Sequence, residues 1–95
     1  MNVPTTIKIA GVTYTIEAVS QLRAEENCSG RVLFNKAVIQ LDDSLCAEIA
    51  GATLLHEVIE VINSENELKM SHRTIQSMAT QLYGVVKDNV EMFTQ

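Results

Sequence analysis

An α+β fold is predicted for this 95-residue chain: a small four-stranded antiparallel sheet built from two hairpins, followed by two packed antiparallel helices in one domain. Three observations predict it. Residues 6–41 carry period-two runs broken by turn formers, residues 43–63 are apolar over an unusually wide helical arc, and residues 71–89 repeat the helical period on one face. A chain this short buries only roughly 60–65% of its unfolded surface, which leaves room for one sheet and one or two helices.

Ile7-Lys8-Ile9 and Val12-Thr13-Tyr14-Thr15-Ile16 alternate about the turn Ala10-Gly11 and form the first hairpin. Residues 20–30 are polar and end in Asn27, Ser29 and Gly30, so they read as a connection. Arg31-Val32-Leu33-Phe34 and Ala37-Val38-Ile39-Gln40-Leu41 form the second hairpin around Asn35-Lys36. Asp42-Asp43-Ser44 then offers N-caps and places negative charge at a helix start.

From Leu45 to Ile62 the apolar side chains sweep roughly 240° of arc, far more than a surface helix needs, so this helix is expected to be covered on two sides. Residues 64–70 are a polar turn. Ser71 caps the last helix, whose apolar positions are Ile75, Met78, Ala79, Leu82, Val85 and Val86, and which ends or kinks at Asp88-Asn89. Residues 90–95 are expected to fray.

Hydrophobic residues make up 46% and charged residues 20%, the balance of a globular domain and not of a disordered one. A net charge of −5 with no Lys/Arg cluster excludes the electrostatic footprint of a nucleic-acid binder. Residues 1–6 lack the features of a signal peptide and no apolar run approaches about 18 residues, so the expectation is a cytoplasmic protein without a membrane partner. Cys28 and Cys46 are too few for a disulfide scaffold and lie in no Cys-x-x-Cys pair, so they read as a loop thiol and a helix-packing thiol. Glu25, Glu26, Asp42 and Asp43 read as solvated.

The chemistry concentrates at His56-Glu57-Val58-Ile59-Glu60, the helical zinc motif His-Glu-x-x-His with glutamate at its second ligand position. Residues i and i+4 stand one above the other on a helix, so His56 and Glu60 can reach one ion while Glu57 is offset. Zinc accepts carboxylate oxygen as well as imidazole nitrogen, and three protein ligands leave a position open for water. In an antiparallel helix hairpin centred near Asn66, position 72 comes opposite position 60 and Gln76 opposite His56. His56, Glu60 and His72 therefore form a three-ligand set that includes both histidines of the chain. The plain alternative is a His56–Glu60 pair on a packed helix with Glu57 solvated, worth only ~0.2–0.5 kcal/mol if exposed.

With Thr53-Leu54-Leu55-His56-Glu57 and the ending Leu82-Tyr83-Gly84-Val85-Val86-Lys87-Asp88-Asn89, the chain from about Ile7 to Asn89 resembles the short zincin-like proteins of phages and prophages. These are distant, minimal relatives of the ImmA/IrrE-type zinc metallopeptidases. The resemblance implies that His56 is the first zinc ligand, that Glu57 is the general base that activates water, and that Glu60 stands at the second histidine's place. It puts the third ligand on the downstream helix, where His72 is the nearest candidate and Glu65 and Glu67 are less well placed. It implies a peptide or protein substrate, and a chain of 95 residues leaves little to hold one beyond an exposed sheet edge, through strand addition. The other class of function is a catalytically inactive scaffold, a protein- or small-molecule-binding phage regulatory or counter-defence factor in the host cytoplasm.

Overall fold

The computed structural model describes residues 3–94; the expectations that fall on Met1, Asn2 and Gln95 lie outside them. Strands β1 (Thr6–Ile9) and β2 (Val12–Val19) form the predicted first hairpin. Ala10 and Gly11 turn it with both φ positive, at 51° and 84°. Two successive left-handed residues match the twist of the flanking strands, which is why glycine suits the second position.

The rest of the sheet differs from the expectation. A short helix α1 (Leu22–Glu26) interrupts the polar connection, and β3 (Gly30–Leu33) turns through a 3-10 segment (Phe34–Lys36) into β4 (Val38–Asp42). β3 and β4 pair antiparallel as predicted, but β4 enters between β3 and β2 and runs parallel to β2, giving the order β1-β2-β4-β3. The sheet is mixed, not purely antiparallel. A parallel neighbour requires a crossover of a dozen or more residues, and segment 20–37 supplies it. The gain is burial: β4 carries Ile39 and Leu41, both buried, to the centre, while half-buried β3 takes the edge.

Asp42 is not solvated. Its carboxylate is buried and accepts the backbone N–H of Arg23 at 2.6 Å, the backbone N–H of Ser44 at 2.8 Å and the Ser44 hydroxyl at 2.6 Å. It therefore serves the first turn of α1, whose Leu22 is buried, instead of capping the following helix. These donors, the Arg23 N–H foremost, hold its carboxyl at about 2. A depressed carboxylate contributes stability that is complete above its unfolded value near 4 and is lost as pH falls toward 2. Asp42→Asn is expected to lack that contribution already at pH 7 and to unfold with a flatter acid limb. Superimposable acid titrations of the two proteins, followed by circular dichroism, would refute this role.

Helix α2 (Ala47–Glu65) begins four residues later than predicted, behind Cys46, because residue 42 is still in the sheet. It is covered on two sides as expected. Leu54, Val58 and Val61 pack on the sheet with Ile9, Tyr14, Ile39 and Leu41, whereas Ile59 and Leu55 pack with Ile75, Ala79 and Met70. Helix α3 (His72–Asp88) starts as predicted, with the Ser71 hydroxyl accepting the Thr74 N–H at 3.1 Å. Glu48 meets Lys87 at 2.9 Å, an exposed pair that contributes little, and Gly51 meets the Tyr83 ring. These two contacts run α3 antiparallel to α2. A Cβ at residue 51 would come within 2.5 Å of Tyr83 Cε1, so glycine there sets how closely the helices approach. Residues expected to fray form a 3-10 turn at Val90–Phe93 with exposed side chains. No helix among the described residues is long and apolar enough to cross a membrane.

Candidate metal centre

His56 and Glu60 lie one turn apart on α2, with His56 Nε2 3.5 Å from Glu60 Oε2. His72 is brought to them by the turn between the helices. Asn63 Oδ1 accepts the Met70 N–H at 2.8 Å, Glu67 and Lys69 adopt left-handed backbone, and the Ser71 cap starts α3 at His72. The imidazole centroids of His56 and His72 are 4.9 Å apart, the rings tilted by 57°.

One donor atom from each of His56, Glu60 and His72 falls within 4.8 Å of the others, so the three could hold a metal ion. A four-coordinate ion with bonds of about 2.0–2.2 Å keeps its donors roughly 3.4 Å apart. The His56–Glu60 pair already has that spacing. Exposed His72 is free to close the remainder by a side-chain adjustment of about an ångström. His56 Nδ1 is buried with no hydrogen-bond partner. With Nε2 turned toward Glu60 and available to an ion, the proton of a neutral ring sits on Nδ1, which an ion at Nε2 leaves without a partner. Glu65 and Glu67 are not in the group, nor are Cys28 and Cys46.

The group lines a cleft of about 960 Å³ between α2, the start of α3 and the edge strand β3. Gln76 lines it as well, on the His72 side, in keeping with the predicted register. Glu57 corrects the plain alternative: it is buried, not solvated, and also faces the cleft. Burial, and secondarily the charge of Glu60, push its carboxyl up to about 7. Its wheel position lies outside the apolar arc of α2, so its burial comes from the tertiary packing of α2, which meets the sheet as well as α3.

That wall was missed at the sequence level. Gly30 carries the available signal: a Cβ there would sit 2.9 Å from Thr53 Cγ2 and 3.1 Å from the Gln40 carbonyl, so glycine allows the strand to close on the helix. Arg31, also at the cleft, donates through Nε to Gln40 Oε1 at 2.7 Å, and the Gln40 amide donates to Glu17 at 3.0 Å. Cys28 lines the same rim.

Compared with models of protein families, with curated proteins and with solved structures, the chain matches none.

Proposed function

We propose that the protein is a small zinc-binding protein of the zincin-like type, with His56, Glu60 and His72 as ligands and Glu57 as the general base of a peptide hydrolase. The observation that carries this reading is the convergence of the three donors from two helices at one end of an open cleft. Two imidazole nitrogens and one carboxylate oxygen make a donor set suited to zinc and leave a fourth position free. Zinc, when bound, supplies Lewis acidity toward a carbonyl and toward water.

The chain's own residues support the rest. Glu57 faces the cleft from the residue next to His56, where a carboxylate can take up a proton from water. A neighbouring cation favours its carboxylate, the form that accepts a proton. Among the described residues β3 pairs with β4 alone, which leaves its second edge to an extended peptide at the cleft.

A second reading keeps the metal and removes the chemistry: a catalytically inactive scaffold that binds a protein or small molecule in the same cleft. Glutamate at position 60 favours it, because the chain departs there from the second histidine of the peptidase motif. Glu57→Gln separates the two. The variant is expected to bind zinc as the wild type does and to cleave a quenched-fluorescent peptide library about 10²–10⁴-fold more slowly. Equal cleavage by both proteins would remove Glu57 as the base. Zinc binding with no cleavage by the wild type would establish the scaffold reading.

A further inference from the structure

The stripe of α2 that carries His56 and Glu60 goes on to Asn63. With 100° per residue the three lie within about 60° of arc, and Asn63 follows Glu60 at the i, i+3 spacing that sets Cβ atoms about 5–6 Å apart. Half-buried Asn63 lines the same cleft as His56, Glu57, Glu60 and His72.

Its carboxamide has a fixed direction. Oδ1 accepts the Met70 N–H at 2.8 Å, and because that partner is a backbone donor, the atom that meets it must be the oxygen. The turn holds the same residue by its main chain, where the Asn63 carbonyl accepts the Leu68 N–H at 3.1 Å. The amino group, Nδ2, is therefore the free branch. Among the described residues it meets no protein acceptor, and it is open to water, since the buried atoms without a partner are His56 Nδ1 and the Tyr83 hydroxyl.

A donor at this place does what its neighbours cannot. Carboxylates only accept, and a peptide carbonyl brought beside Glu57 and Glu60 needs an N–H from another group. Arg31 donates to Gln40 at 2.7 Å and approaches Glu26 at 3.8 Å, while Gln76 turns its Nε2 to Thr80 at 3.4 Å. Neutral Asn63 offers a donor with no charge to repel a metal ion. We infer that Asn63 is a substrate-binding residue whose Nδ2 donates to a main-chain carbonyl of an extended peptide in the cleft, an assignment that rests on the hydrolase reading and names the atom that takes the substrate. Met70 sets the aim of this donor by occupying the other end of the same carboxamide.

The test is fluorescence polarisation of a fluorescein-labelled random hexapeptide pool in the presence of zinc, on Glu57→Gln and on the same protein with Asn63→Asp added. Glu57→Gln keeps the peptide intact, and zinc affinity and helical circular dichroism are measured on both. Aspartate keeps an oxygen for the Met70 N–H and puts an acceptor where the donor was. The double variant is expected to fold and to hold zinc at least as tightly as its parent, while binding the pool about tenfold or more weakly. Equal peptide affinity, a parent that binds no peptide, or a loss of peptide affinity that only accompanies a loss of zinc affinity overturns the inference. Failure of the hydrolase reading shows elsewhere, as a wild type that cleaves nothing while the two peptide affinities still differ. If the double variant fails to fold, the parent answers alone: the Asn63 side-chain amide resonances should shift and exchange more slowly with water when the pool is added, and unmoved resonances overturn the inference.

Discussion

For the zinc site proposed above, His56→Ala is expected to remove zinc binding and the stabilisation that comes with it. Even a residue that only supports a ligand typically costs 10–100-fold in metal affinity, so losing the ligand on the more rigid helix should cost at least about 100-fold. At a free zinc concentration a thousandfold above Kd, binding stabilises the wild type by about 4 kcal/mol. For a domain of this size that corresponds to roughly 15–30 °C in Tm.

Without zinc the two proteins should melt close together. Truncating the buried imidazole opens a cavity, at a cost of about 2–5 kcal/mol, but it also removes His56 Nδ1, a buried polar atom without a partner whose burial costs about 1–3 kcal/mol. The two effects largely offset. Differential scanning calorimetry with and without zinc reads both limbs, and an equal zinc-induced shift in the two proteins would remove His56 from the ligand set.

Ile75→Ala carries the second large effect. Ile75 is almost fully buried, one turn beyond His72, and packs with Ile59 and Ala79 where α3 meets α2. Truncation should cost about 2–5 kcal/mol, or at least roughly 8 °C in Tm. The loss falls on the contact that holds His72 against α2, so the zinc dissociation constant should rise as well. Excess zinc should restore part of the stability, since an ion held by the proposed ligands would tie the same two helices together. Chemical denaturation monitored with and without zinc measures this. A change below about 1 kcal/mol would mean that the helix interface is not what positions His72.

The helical half of the molecule was legible because its signals are local. Ser71, the 3.6 period and a short polar turn determine where α3 starts and which way it runs. The expected pairing of position 72 with position 60 agrees with the observed Glu48–Lys87 and Gly51–Tyr83 contacts. The sheet was legible strand by strand but not in order. Val38–Asp42 is apolar enough to be central, yet nothing local says that it will pair with β2 in parallel on the side away from β3.

Asp42 was misread for the same reason. An acidic residue just ahead of a helix has the pattern of a cap, and only the crossover brings the N–H of Arg23 to it. Glu57 shows the limit on the site: its distance from the apolar arc of α2 argued for solvent, yet it is buried and lines the cleft together with residues of β3. Such burial depends on which strand becomes the edge, which is a property of the whole fold.

The central claim is that the fold brings His72 to the His56–Glu60 pair to complete one metal site. Equilibrium dialysis against zinc, with metal content measured on the wild type and on His72→Ala, tests it most directly. The account predicts one zinc per wild-type chain and a loss of at least about 100-fold in affinity for the variant. A wild type that takes up no zinc, or a His72→Ala protein that binds it as tightly as the wild type, would contradict the account.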